Sequence, residues 1–579
     1  MVAMTDFGGA LIDTDVLVIG GGAGGLLAAL SAKRSGAPGT RVTLVDSWTV
    51  GRTGHTAFTS AHFIVALEGD DVDQMTREIV DGNDGIADQR LVREVLAISA
   101  ERVRDLEALG IAFHRDERGH YVRRPTRGLD SVRLVGVVGG GLEFCWRLRL
   151  GLEALGVQIL DRVFVTGLMR GTGHAIAGAV GIHTRNGEFL AIRARATIVC
   201  TNAVSFRSGF ARDITGTGTL LAYRAGAVLR NAEFSYTRPG SPTFYFEGIT
   251  FAAQEGARFV NALGEAFMPN YEPVWGDEAD VPRIARAMVI ERQKGHHPLY
   301  LDMSPIPERL HSLWLSSSKV KWMEYFYRKL GDETRTNMFG KTPYYPLNQM
   351  TKMAVRTDET CRSDVAGLLV GGLAQAGCAN HFAGFHIGLS IGNGWIAGRS
   401  AIEDMDRLAA PSLDPAEIRA LHADAFRPRE DASVEESDRV LRELQTVMFA
   451  YDVTIWKRED RLKAAMARLA ALRQEMARAR APHTHELIRF HETEAMLLAA
   501  ELILHGSLYR TESRVSHFRE DYDFRDDANW LCWVDIKETA EGPVLCKTPV
   551  PTPLFPISNA PAAPIRRPLR GAVESTPTA

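Results

Sequence analysis

The chain is short of several features that would have fixed its class at once. It has no uninterrupted apolar run of the roughly 18 to 20 residues that a membrane span requires, and its N-terminus shows no basic stretch leading into an apolar segment and a cleavage site. We therefore expect a cytoplasmic protein without a membrane span. Cysteine is scarce: Cys145, Cys200, Cys361, Cys378, Cys532 and Cys546 are scattered over 579 residues, with no CxxC pair and no Cys/His cluster at metal spacing. That argues against a structural zinc or an iron–sulfur cluster carried by this chain and for free thiols, so no metal site is expected. A net charge of -4 leaves no global attraction to nucleic acid or anionic membrane.

What remains is an ordinary globular composition, 45% hydrophobic and 24% charged, long enough for several domains. Residues 15–20, DVLVIG, form a β-branched run typical of a buried parallel strand, followed by GGAGG and the helical LLAALSAKRSG. Gly20, Gly22 and Gly25 fall on GxGxxG spacing, with Ala23 and Gly24 between them. In that pattern the first glycine allows a tight turn, the second lets backbone approach a pyrophosphate, and the third lets helix and strand pack closely. The helix N-terminus then offers N–H groups and a positive partial charge to phosphates. A second strand, RVTLVD, ends at Asp46, about twenty residues further on, where a carboxylate suits ribose hydroxyls. These residues point to a dinucleotide but do not choose between FAD and NAD.

Later segments carry a resemblance. They are GRTGHTAF around His55, FLAIRARATIVCTNA at 189–203, NALGEAFMPNYEP at 261–273, VPRIARAMVIERQKGHHPLYLDMS at 281–304, the glycine-bracketed LLVGG within 363–401, and SLYRTESRVSHFREDYDFRDDANWLCWV at 507–534. In their order they resemble the flavoprotein subunits of succinate dehydrogenase and fumarate reductase, whose superfamily includes L-aspartate oxidase and the flavoprotein of adenylylsulfate reductase. The resemblance covers most of residues 13–533 and is most specific in the Thr-Glu-Ser-Arg run, where Val515 replaces the family glycine.

It implies an α/β fold: a Rossmann-like FAD-binding domain (10–235 and 355–408) interrupted by an α+β capping domain (236–354), then a C-terminal helical domain (409–546) and a Pro-rich tail (547–579). It implies FAD, held by Gly20, Gly22, Ala23, Gly24, Gly25, Asp46, Ser47, Gly54, His55, Thr56, Val165, Thr201, Asn202, Gly372, Ser390 and Ile391. His55 matches a histidine that some relatives bond covalently to the flavin; covalent attachment, non-covalent contact and an incidental loop histidine all stay open. The implied activity is an FAD-dependent oxidoreductase moving a hydride between flavin N5 and a polar or anionic small molecule under the cap. Arg286 is expected as the proton-shuttling arginine, with Arg238 and His381 as further catalytic groups.

Departures from the fumarate pattern bring in an alternative. Residues 376–397 contain no arginine, so the carboxylate-clamping guanidinium of fumarate reductases is missing there. Arg238 and His381 look similar to the adenylylsulfate reductase branch, which works with an iron–sulfur partner. The partners implied are a small-molecule substrate, an iron–sulfur or other electron-transfer protein, or a second copy in a homo-oligomer. A non-catalytic flavoprotein is the remaining alternative. Tyr344 and Tyr345 are candidates for the pocket lining, and the C-terminal Met/Leu stripe reads as helix-bundle core.

Overall fold

A computed structural model describes residues 3–4, 9–208, 214–241, 249–307, 310, 340–405, 407–408, 411–429 and 435–557. At its centre five parallel strands run in the order Leu368–Val370, Ala196–Val199, Val16–Ile19, Val42–Asp46 and Gln158–Asp161. The sheet that begins with the strand before the glycine loop thus ends on one that arrives some 350 residues later, so the late segment completes the first domain. Val16, Leu17, Val18, Leu44, Val45, Ile198, Val199, Leu369 and Val370 are fully buried, as expected for parallel strands covered on both faces. A second sheet, with Val163–Arg170, Ile176–His183, Phe189–Arg193 and Ala10–Asp13 in that order, packs beside it.

Two helices of the same domain, Ala23–Ser35 and Phe385–Met405, cross at backbone contact. A Cβ on Gly394 would stand 2.3 Å from the carbonyl oxygen of Gly24, and one on Gly398 2.2 Å from that of Ala28. Only glycine allows this approach, which brings the late helix onto the dinucleotide turn.

The cap is built on the antiparallel pair Ser235–Gly240 and Tyr345–Thr351, a three-stranded sheet of Arg258–Val260, Tyr300–Asp302 and Lys341–Pro343, and the helix Val281–Gln293. Asp280 caps that helix by accepting from Val281 N at 2.8 Å. Tyr344 is fully buried in the cap core, so it packs the cap and does not line a pocket.

Helices Glu435–Phe449, Glu459–Met476 and Thr484–Tyr509 form the C-terminal bundle, whose core includes Leu444, Leu462, Leu469, Leu472, Met476, Met496 and Leu504. The bundle is followed by a hairpin, Cys532–Thr539 and Gly542–Pro549, that pairs with Leu229–Arg230. This hairpin runs through the boundary expected at 546/547. The first residues of the Pro-rich tail also pack on the chain itself: Gln89 Nε2 donates to the carbonyl of buried Phe555 at 2.9 Å. The expected tail beyond residue 557 lies outside the described residues.

The Thr-Glu-Ser-Arg run is structural. Arg510, Glu512 and Arg514 are fully buried, with Glu512 Oε1 accepting from Arg510 Nη1 at 2.8 Å and Arg514 Nε at 2.6 Å, and Arg510 Nε donating to Glu233 Oε1 at 2.8 Å. This network ties the C-terminal region to the start of the cap. Val515 beside it sits at φ +52, in the left-handed region that the family's glycine would occupy without strain.

Candidate active site

A cavity of about 360 Å³ runs from the glycine turn to the underside of the cap. At its inner end Gly20, Gly22, Ala23, Gly24, Asp46 and Ser47 line the wall, as do Gly54, His55, Thr56, Val165, Thr201, Asn202, Gly372 and Ser390. Gly20 takes φ +108, which makes the tight turn. Gly25 is behind the wall, where a Cβ would stand 1.8 Å from the Gly20 carbonyl oxygen, so its role is packing. Ile391 is buried in the core and does not reach the cavity.

The Asp46 carboxylate is already engaged, accepting from Gly21 N at 2.7 Å and Trp48 N at 2.8 Å. Burial pushes its proton affinity up while these two bonds hold it down. Its first task is to shape the turn, and the cavity meets it beyond that. On the opposite side, Asn393 clamps the returning loop: its Oδ1 accepts from Gly372 N and its Nδ2 donates to the Gly372 carbonyl, both at 2.8 Å. Asn393 is fully buried in the small-residue helix, and nothing in sequence spacing distinguishes it.

The cap end is strongly cationic. Arg124, Arg127, Arg238, His62 and His386 line it, with Tyr236 beside them. Arg127 is 1% exposed, yet its Nε and Nη2 have no hydrogen-bond partner among the described residues. Burial pulls its proton affinity down to about 10, with Tyr236 and Asp280 acting in the other direction. A fully desolvated guanidinium without a partner is costly unless a ligand supplies acceptors. Behind this wall, Lys352 Nζ sits 3.1 Å from His381 Nδ1 and 3.0 Å from His386 Nε2.

Two expected catalytic groups are elsewhere. His381 is buried behind His386 and does not line the cavity. Arg286 pairs with Asp523 and lies 5.2 Å from the Phe518 ring centroid, in a separate cleft shared with Arg283, Arg514 and Arg525. The helix phase explains this: on Val281–Gln293 the face that packs inward carries Ile284, Ala285, Ala287 and Met288, and Arg286 points between cap and C-terminal region. Arg238 is on the cavity wall.

A glycine turn at the head of a helix, an acidic strand end, and a late strand and helix closing over them define a dinucleotide-dependent oxidoreductase site. The comparisons with known proteins resolve it further. Residues 15–389 match the FAD binding domain family and residues 441–561 match the fumarate reductase flavoprotein C-terminal family, so the chain belongs to the FAD-binding family and is an FAD-dependent oxidoreductase. It is 28% identical to a flavoprotein-sized component of the fumarate reductase (CoM/CoB) of Methanothermobacter marburgensis, over 88% of this chain and 95% of that one. Its fold is similar to a flavoprotein of E. coli quinol fumarate reductase, with TM-score 0.85, 22% identity, and coverage of 95% and 98% of the two chains. It is also similar to adenylylsulfate reductase of Archaeoglobus fulgidus, with TM-score 0.77, 22% identity, and coverage of 94% and 96%.

The residues present fit FAD. The helix Ala23–Ser35 has no side-chain cap from its N-cap residue Gly22, and only Thr56 Oγ1, 3.5 Å from Ala23 N, approaches its first N–H groups. A Cβ on Gly22 would meet nothing nearer than Thr56 Oγ1 at 3.9 Å, so the cradle there is open. Thr201 Oγ1 is buried on the wall without a partner among the described residues. Among the described residues no His/Cys/Asp/Glu group could hold a metal ion, and no helix is long and apolar enough to cross a membrane.

Proposed function

We propose that the enzyme transfers a hydride between bound FAD and a small anionic substrate held under the cap. The observation that carries this reading is Arg127, a buried guanidinium on the cavity wall whose Nε and Nη2 find no partner among the described residues. FAD supplies reversible two-electron transfer in such a site. Arg127 and Arg238 bind the substrate's negative charge, and the low-dielectric wall strengthens that attraction. Tyr236 and His386 orient it, while the cap excludes water. His55 contacts the flavin without a bond; the glycine at position 54 and the missing Gln-Gly-Gly support that reading. Electrons pass to or from a separate iron–sulfur or comparable protein, since no metal-binding group is present among the described residues and the cysteines are all free. Unpaired thiols also support a reducing, cytoplasmic setting.

The test is anaerobic. Flavin reduced with a dye is mixed with a panel of small carboxylates, sulfonates and neutral analogues, and its reoxidation is followed by absorbance. One or more anions should reoxidise it, and their neutral analogues should not; reoxidation by neutral compounds alone would sink the reading. Placement of Arg238 on the wall, together with the arginine-free late loop, favours a second reading, adenylylsulfate-type chemistry. Under that reading AMP and sulfite perturb the flavin spectrum at low concentration.

A further inference from the structure

Lys352 is a buried lysine beside the cavity that the proposed chemistry has not used. It follows the strand Tyr345–Thr351, which pairs with Ser235–Gly240, and is 4% exposed. Its ammonium group meets two imidazole nitrogens and lies 4.9 Å from the Tyr236 ring centroid. No carboxylate forms an ion pair with it among the described residues. His386 and Tyr236, its two neighbours on the cavity side, both line the cavity, so Lys352 stands one side chain behind the wall.

We propose that Lys352, wedged between His381 and His386, couples anion binding in the cavity to the uptake of one proton. The inference rests on the anionic-substrate reading and adds to it how the site's charge is balanced. With the cavity free of an anion, a charged Lys352 would be a buried cation beside the further cations Arg127 and Arg238. An anion arriving against His386 supplies the missing countercharge and favours the ammonium form. The proton comes from solvent, and the only bond formed is N–H on Nζ. By linkage, what the anion does for the proton the proton does for the anion, so affinity falls as pH rises through the titration of Lys352.

The groups facing Lys352 leave it as the site that titrates. Burial brings its proton affinity down to about 7, with Cys378 and Asp280 acting weakly the other way. Burial, and then the lysine, hold His381 well below the ordinary imidazole range, and His386 likewise, with His381 and His55 adding to the effect. Burial pushes the Cys378 thiol up, so it stays protonated. Asp280, raised to about 6 by burial, is already ionised above neutrality.

Sulfate is a suitable probe because it keeps its charge through the range concerned. Calorimetric titration of the flavin-loaded protein with sulfate at about pH 8, in two buffers of different ionisation enthalpy, counts the protons taken up. The wild type should take up close to one proton per site, and its affinity should weaken up to roughly tenfold per pH unit from about pH 7 to 9. Lys352→Met should bind sulfate with no proton uptake and a flat pH profile. Lys352→Arg, charged throughout, should also show no uptake but keep the low-pH affinity at high pH. Sulfate binding without proton uptake in the wild type, uptake that persists in Lys352→Met, or no sulfate binding at all would overturn the inference. A chain that purifies without flavin would sink the oxidoreductase reading instead, and the proton count can still be measured on it.

Discussion

Asn380 Nδ2 donates a 2.7 Å hydrogen bond to Asp280 Oδ2, joining the late loop of the FAD domain to the residue that caps the main helix of the cap. Both residues are buried, and the bond crosses from one domain to the other beside the cationic wall. The chain thus fastens its cap at the point where substrate is to be held.

That bond has a pH consequence. Burial raises Asp280 from the ordinary 3.8 to about 6. The folded state therefore holds a proton that the unfolded state has lost, and this contribution to stability is present below about pH 4 and disappears as pH rises through about 6. Asp280→Asn keeps an amide able to cap the helix and removes the titration. Denaturant midpoints compared at about pH 4.5 and 7 should show the variant losing less stability on the alkaline side than the wild type.

Arg127 makes opposite demands on stability and function. Arg127→Met removes a buried charge without a partner, so the melting temperature should hold or rise. Anion affinity should fall by about tenfold or more, the scale of a lost charged hydrogen bond of roughly 1.5–3 kcal/mol. Thermal melts and sulfate titrations check the two halves separately.

Gly394→Ala places a methyl group 2.3 Å from the Gly24 carbonyl oxygen. Separating two helices packed at backbone contact should cost about 1–3 kcal/mol and lower flavin retention, because the same contact positions the dinucleotide turn. Flavin-to-protein absorbance ratio and melting temperature should fall together.

Val515 is a β-branched residue at φ +52, buried among Ile86, Phe234, Ala379 and Trp533. Val515→Gly relieves backbone strain of about 1–3 kcal/mol and forfeits about 1.5 kcal/mol or more of side-chain burial. The two nearly cancel, so the measured change should stay within about 1 kcal/mol, far below the usual cost of emptying a core position. A loss above about 3 kcal/mol would show that the strain is absent.

Local motifs were legible because their physics is local. The run from Gly20 to Gly25 and the strand ending at Asp46 announce a dinucleotide turn, since turn, helix and acidic residue lie within one βαβ unit. The returning segment was legible through its small residues, which the helix crossing requires. Arg127 and Lys352 were not: each is one cation among several in its stretch, and its importance arises only from burial against segments more than a hundred residues away or beside histidines from another domain. Arg286 failed for a related reason. Counting along a helix from Gly295 fixes a position but not the face it presents, and the arginine turned outward to Asp523. The hydrogen bond between His381 and Lys352 likewise depends on a late loop folding over a cap strand.

Anaerobic reoxidation of reduced flavin by the most effective anion of the panel, compared among wild type, Arg127→Met and Arg286→Ala, tests the central claim most directly. The account predicts that Arg127→Met, with flavin content unchanged, loses roughly tenfold or more in the second-order rate constant, while Arg286→Ala stays within about twofold of wild type. Equal rates in wild type and Arg127→Met, or a loss confined to Arg286→Ala, would contradict it.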